Sequence, residues 1–432
     1  MQNRLKAFLT NAALLVVTLG CAEVVLQIAN HYSTRAARVL AHPKHRDSPY
    51  VFDVDRGFRG NPRRFDHDGR GFRNAGGIEQ TEILAIGDSQ TYGVGVERQR
   101  AWPYAIHEDF DYDVYNMGLG GYAPPHHLFS LDQMLDLKPR VVVYAVYFGN
   151  DLMESFAIAR DHPELRAHID DGVWAAAMLQ DDATPLEDAI DLFVRRGAPA
   201  PEDETDNQST LTAFRTFVSE RVMIYALARA AFHVTDERYV PGLLSRDFEK
   251  AKAAITSRER DYCSVYDDGS WRTILTAPYR GFMLDSEDAR VEAGFFVMVH
   301  ALERVIAMAD GVGARTVIAL IPTKETVFAQ RMSELSEHPK LTRLVEDEAR
   351  YKARLVAALR NRRVTIVDTL AALAGSTRPP YFEDADGHPN MYGHGVLSSV
   401  IGPELRGPEA ALPRFALEDV RREANAGKRQ AP

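Results

Sequence analysis

The stretch Ile83-Leu84-Ala85-Ile86-Gly87-Asp88-Ser89 sets the reading of the whole chain. A short aliphatic run that stops at Gly-Asp-Ser predicts a buried strand delivering a serine to the loop at its C-terminal end. Open α/β sheets gather their ligands at that edge. The same rhythm continues outward. Val114-Tyr115-Asn116 predicts a short second strand leading into Gly118-Leu119-Gly120-Gly121. The continuous apolar run 141–147 predicts a parallel strand buried on both faces. Thr316-Val317-Ile318-Ala319-Leu320-Ile321, stopped by Pro322, and Val364-Thr365-Ile366-Val367 predict two more. Between them lie helical patterns: 102–110, an amphipathic stretch with Leu128, Leu131, Met134 and Leu135, then 285–309, 341–359 and a helix beginning at His394. Ala293, Phe296, Val297, His300, Ala301 and Val305 mark the expected buried stripe of the 285–309 helix. Alternation of this kind predicts an α/β fold with a parallel central sheet.

The flanks read differently. Of 432 residues, 45% are hydrophobic, enough for a large core. A formal net charge of -10 argues against a nucleic-acid surface. Cys21 and Cys263 can build neither a disulfide framework nor a cysteine metal cluster. Arg4 and Lys6 precede a mostly apolar run to Ile28, long enough for a bilayer at ~20 residues. Residues 1–30 are therefore expected to be a signal anchor or a signal peptide. The bulk of the protein would then lie outside the cytoplasm, tethered to the inner membrane or secreted after cleavage. Residues 31–80 form a polar lead-in with two Gly-Phe-Arg segments, 57–59 and 71–73. It reads as an irregular segment along the domain edge or, alternatively, as an active-site flap. The main domain spans 81–412, with a large insertion over 153–284 that includes a helical pattern at 211–234. The charged end, 413–432, is expected to fray.

The chemistry follows from side chains at the predicted strand ends. Ser89 is the candidate nucleophile and needs a base within hydrogen-bond reach. His388, in Asp386-Gly387-His388-Pro389-Asn390, is the candidate base, since an imidazole can cycle its proton near neutral pH. Asp386 would hold the other ring nitrogen and fix the tautomer. Ser89 N–H, Gly121 N–H and the Asn150 side chain are candidate donors to the oxyanion of a tetrahedral intermediate. Each has a duller reading: Gly118, Gly120 and Gly121 could only permit a turn, Asn150 could cap the next helix, and His388 could be surface. His107, His126 and His127 lack metal-ligand spacing. There is neither a Gly-x-Ser-x-Gly elbow nor a Gly-x-x-x-x-Gly-Lys phosphate loop.

Taken together, the blocks resemble the SGNH, or GDSL-type, hydrolases. The serine block is Gly87-Asp88-Ser89-Gln90-Thr91-Tyr92-Gly93-Val94-Gly95-Val96, and Asn116-Met117-Gly118-Leu119-Gly120-Gly121 fits Asn-x-Gly-x-x-Gly. Phe148-Gly149-Asn150-Asp151 fits the asparagine block, with Phe148 where glycine is common. The last block often reads Asp-x-x-His-Pro-Asn; here Ala385 stands three before His388, leaving Asp386 or Asp384 as the orienting carboxylate, with Asp386 preferred. The resemblance covers about 81–152 and 312–400. It implies a three-layer flavodoxin-like fold and a serine esterase without metal or organic cofactor. The implied substrate is an acylated small molecule or carbohydrate, such as an O-acetylated envelope or exopolysaccharide. A polysaccharide O-acyltransferase and a noncatalytic carbohydrate-binding component are the alternatives. Ile321-Pro322-Thr323-Lys324-Glu325 is weakly similar to SGNH domains linked to polysaccharide O-acetylation, although Lys324 also reads as a solvated loop charge.

Overall fold

The computed structural model describes residues 10–11, 14, 18–28, 48–186, 246–255 and 262–406. The helix expected over 211–234 and the 413–432 tail lie outside the described residues. The first strands among the described residues form an antiparallel hairpin, β1 (Tyr50–Asp53) and β2 (Gly57–Gly60). The central sheet is built from β3 (Ile83–Gly87), β4 (Val114–Asn116) and β5 (Val141–Tyr147). A second antiparallel hairpin, β6 (Ser264–Asp267) and β7 (Arg272–Leu275), precedes the last two sheet strands, β8 (Arg315–Ile321) and β9 (Val364–Asp368). All five sheet strands are parallel, in the order β4-β3-β5-β8-β9.

Numbered within the sheet, that order is 2-1-3-4-5, the flavodoxin-like arrangement, whose switch point lies between its first and third strands. Here these are β3 and β5. Register aligns the strand ends: Gly87 pairs with Ala145, Ala145 with Ala319, and Ala319 with Val367. Loops after β3, β5 and β8 thus leave the sheet at nearly one level. All seven residues of β5 are buried, as expected of a central strand covered on both faces. Each buried valine among them contributes roughly 1.5–3 kcal/mol by leaving water.

Helices cover the sheet. Ala289–Gly311 packs on Asp151–Asp161, and Met391–Ile401 packs on Trp102–Phe110. The expected stripe of the first helix needs two corrections, the first at His300, which is half-buried and not part of the core. Ala293, Val297, Ala301 and Val305 are buried, but Phe296 is 40% exposed. Val291, Phe295, Met298 and Leu302 form a second buried row at i+4 and i+3 spacing, which turns Phe296 outward. The block read as an insertion also supplies core. Phe156 of the Asp151–Asp161 helix is fully buried, as are Ile274 and Leu284 near the far end of the block.

Residues 18–28 are helical, and Leu19, Val24, Val25 and Ile28 are exposed. Among the described residues, no helix is long and apolar enough to cross a membrane.

Candidate active site

Ser89 opens a short helix, Ser89–Tyr92, whose N-cap Asp88 accepts the Gln90 N–H at 2.8 Å. Glycine is required beside it. A Cβ on Gly118 would stand 2.4 Å from Tyr92 N, so the two loops approach more closely than any side chain permits. Asn116 joins them: its Nδ2 donates to Thr91 O at 3.0 Å, and its Oδ1 accepts the Gly118 N–H at 2.8 Å. Gly121 has φ 76, in the left-handed region that favours glycine. No described acceptor takes the N–H of Ser89 or of Gly121.

Asn150 stands at the N-cap position of Asp151–Asp161 but makes no side-chain capping bond. Its Oδ1 is buried without a partner, and its amide nitrogen donates to no described residue. The side-chain capping explanation for this asparagine therefore falls, and a half-buried amide with a buried, unpartnered oxygen is left making no bond to a described protein group. Such groups are costly and call for an explanation.

His388 Nδ1 lies 2.5 Å from Asp386 Oδ1, the same oxygen that accepts the His388 backbone N–H at 3.1 Å. Two bonds from one residue pair fix the ring orientation. Asp384 makes no bond to the imidazole; it accepts the Asp386 N–H at 3.0 Å and pairs with Arg246 at 2.9 Å. Arg246 reaches both carboxylates, with its Nη2 2.9 Å from Asp386 Oδ2 and its guanidinium stacked 3.5 Å over the Phe382 ring. Burial pushes the Asp386 carboxyl up, but His388 and Arg246 outweigh it and hold it well below the usual carboxylate range. Burial instead dominates at Asp384 and raises it. Asn390 secures the loop by donating to Pro379 O and Tyr381 O, both at 2.8 Å, while its Oδ1 accepts the Gly393 N–H at the start of the next helix.

Ser89 and His388 share no hydrogen bond. The Ser89 hydroxyl donates instead to Asp88 Oδ2 at 3.1 Å. Asp88, the N-cap before Ser89, also lies within electrostatic range of His388. Burial raises the carboxyls of Asp88 and Asp151, and Asp88 raises Asp151 further. Glu154, one turn into the helix after Asn150, is pushed up to about 7 by burial and then by Asp88.

Several residues at this edge were not foreseen. Lys324 is buried, not a solvated loop charge. Its Nζ lies within hydrogen-bond reach of Thr273 Oγ1, Ile274 O, Asp384 O and Asp386 O, at 2.8–3.2 Å. The signal was a lysine three residues past an apolar strand. Arg280 donates to Gly149 O at 3.2 Å, and its Nη2 would stand 2.6 Å from a Cβ on Gly387. It thus spans the asparagine and histidine loops. Neither Arg246 nor Arg280 carries a local sequence signal.

The polar lead-in braces the turn that carries Ser89. Arg73 donates to Tyr92 O, Gly93 O and Val96 O while its Nε holds Asp66 at 2.7 Å. Asn74 makes two bonds to the Asn116 backbone, at 2.8 and 2.9 Å. The second Gly-Phe-Arg segment was the available clue. His126 and His127 are structural: His126 Nδ1 accepts the Ala123 N–H, and His127 bonds Tyr144 Oη at 2.8 Å. Among the described residues, no three His, Cys, Asp or Glu side chains gather to hold a metal.

Fold and site together define an α/β protein of flavodoxin-like topology, with serine, histidine, aspartate and asparagine blocks at the C-terminal edge of the sheet. No protein-family model and no curated protein matches the chain. Among solved structures it is similar to a lipolytic protein of the G-D-S-L family from Desulfitobacterium hafniense DCB-2, at 10% identity and TM-score 0.31, over 75% of this chain and 99% of that one. It is also similar to the acetylxylan esterase Axe2 from Geobacillus stearothermophilus, at 12% identity and TM-score 0.34, over 78% and 99% of the two chains. A GDSL-like lipase from Bacteroides thetaiotaomicron VPI-5482 aligns at 9% identity and TM-score 0.32, over 75% and 87%. Superposition this loose bears on neither activity nor substrate.

Proposed function

We propose that the protein is a serine esterase that hydrolyses small acyl esters, with O-acetyl groups on an envelope or exopolysaccharide as the natural substrate class. The observation that carries this reading is the hydrogen bond between His388 Nδ1 and Asp386, on the sheet edge that also holds Ser89. A histidine so held presents Nε2 as a base. In the reaction the Ser89 hydroxyl turns from Asp88 to His388, loses its proton there and attacks the ester carbonyl. The oxyanion forms against Ser89 N–H, Gly121 N–H and the Asn150 amide, three donors with no described acceptor. His388 then protonates the leaving alcohol, and water activated by the same imidazole releases the acid. An N-terminal apolar segment acting as anchor or signal would hold this chemistry outside the cytoplasm.

The test is hydrolysis of p-nitrophenyl acetate together with covalent labelling by a fluorophosphonate, located by mass spectrometry. Wild type should turn over the ester and carry the label on Ser89. Ser89→Ala should lose both, with turnover falling by at least about 10³-fold. Undiminished turnover in Ser89→Ala would sink the reading. Acyl-sugar formed from an acyl donor and a sugar acceptor, in place of free acid, would reassign the same site to transfer.

A further inference from the structure

The hairpin β1–β2 reaches the reaction centre, and no part of the chemistry above uses it. Tyr122 Oη donates to Phe58 O at 2.7 Å, seating the hairpin on the glycine block. Phe58 packs edge-on to Tyr50 at 5.1 Å and tilted on Tyr122 at 5.3 Å. Phe58 Cζ stands 3.2 Å from the position of a Cβ on Gly121. Tyr50 Oη stands 2.5 Å from the position of a Cβ on Gly120, and Ser89 Cβ lies 3.5 Å from that same point, so the hydroxyl is within about 6 Å of Ser89 Cβ. The Tyr50 hydroxyl makes no hydrogen bond to any described residue. Burial, followed by the charge of Asp88, raises its pKa, so it stays a protonated donor at neutral pH.

The side of the serine on which this hairpin stands decides what it would touch. The glycine block follows β4, which flanks β3 on one side. The histidine loop is anchored by Lys324, which follows β8 on the other side. In a serine esterase the leaving alcohol must face the imidazole that protonates it. With the carbonyl oxygen at the oxyanion donors, the remaining substituent, the acyl chain, is directed away from the imidazole. That direction is toward Gly120, Tyr50 and Phe58.

From this placement we propose that the β1–β2 hairpin is the acyl-side wall of the substrate site. In this role, Tyr50 and Phe58 limit the enzyme to short acyl groups. The proposal rests on the serine-ester reading of Ser89. With Tyr50 and Phe58 standing 2.5 and 3.2 Å from Cβ positions on Gly120 and Gly121, the two rings would stop a long acyl chain on this side.

The test uses p-nitrophenyl acetate, butyrate and octanoate, with methyl- and octyl-phosphonofluoridate probes as a readout that needs no turnover. Wild type should prefer acetate to octanoate at least tenfold in kcat/KM. Tyr50→Ala should raise the octanoate-to-acetate ratio at least tenfold and speed Ser89 labelling by the octyl probe relative to the methyl probe. Tyr50→Phe, which keeps the ring, should retain the wild-type length preference. Phe58→Leu provides a second variant should Tyr50→Ala misfold, and it should shift the ratio in the same direction. A ratio unchanged within twofold in folded Tyr50→Ala and Phe58→Leu would overturn the hairpin proposal while leaving the esterase reading intact. Length-dependent labelling of Ser89 without turnover of any ester would overturn the esterase reading and keep the wall. Absence of Ser89 labelling by both probes would overturn both.

Discussion

At the scale of single residues, the choice between two neighbouring carboxylates illustrates how position outweighs type. Asp384 and Asp386 both pair with Arg246, yet only Asp386 meets the imidazole. Asp386→Asn keeps the shape of the loop but replaces an acceptor with an amide that can present its N–H to Nδ1, turning the histidine to the wrong tautomer. In a well-studied triad the equivalent change costs about 10⁴ in kcat. A loss of about 10³–10⁴ in kcat with little change in KM is expected for Asp386→Asn. Asp384→Asn should cost less than about tenfold, because its contacts are to Arg246 and a backbone N–H. Steady-state kinetics on the two variants side by side checks this; equal losses would remove Asp386 from its assigned role.

At the scale of elements, the loop carrying His388 depends on a lysine from the end of β8. Four oxygens surround the Lys324 ammonium, two of them carbonyls of Asp384 and Asp386, and burial lowers its pKa. Replacing it with an apolar side chain of similar length removes the shared donor from all four; Asp384 O keeps the Thr273 hydroxyl, while any group left without water or partner costs roughly 1–3 kcal/mol. Lys324→Met should therefore lower the melting temperature and reduce kcat together, since the loop that orients the imidazole loses its anchor. Thermal unfolding followed by circular dichroism, paired with ester turnover, measures both. A variant with lowered melting temperature but unaltered kcat at a temperature where it stays folded would show that the loop holds its geometry without the lysine.

For the whole molecule, the site gathers carboxyls whose burial works against ionisation. Asp88, Asp151, Glu154 and Asp384 are all raised, with burial as the leading cause. A carboxyl whose folded pKa exceeds its unfolded value keeps a proton that the unfolded chain releases, so stability falls as pH rises between the two values. For Glu154 that interval runs from the ordinary carboxylate range, about 4.3, up to about 7. Asp386 acts in the opposite direction. Its lowered pKa contributes stability present above the usual carboxylate range and lost as pH falls through the folded value. Glu154 accordingly pulls the melting temperature down as pH rises from about 5 to about 7, and Glu154→Gln should remove about 2–4 °C of that pull relative to wild type over the same interval. Calorimetry across the range decides it; an identical slope in both proteins would mean that Glu154 does not carry the proton.

The sequence by itself determined the sheet and the chemical groups along its edge. Buried parallel strands are continuous apolar runs, so Ile83–Gly87, Val141–Tyr147 and Arg315–Ile321 could be read within a residue or so of their ends. Ser89, Gly121, Asn150 and His388 stood out because each follows such a run or lies in a compact polar block. The tertiary structure alone decided which groups meet. Arg246 and Arg280 come from the segment read as an insertion, and Tyr50 and Arg73 from the lead-in. Their contacts span up to 140 positions of chain, as between Arg246 and Asp386. Local sequence encodes strand and turn through the few bonds it can form with its neighbours. Where a guanidinium or a phenol ends up depends instead on how separate elements pack, and no periodicity or spacing carries that information.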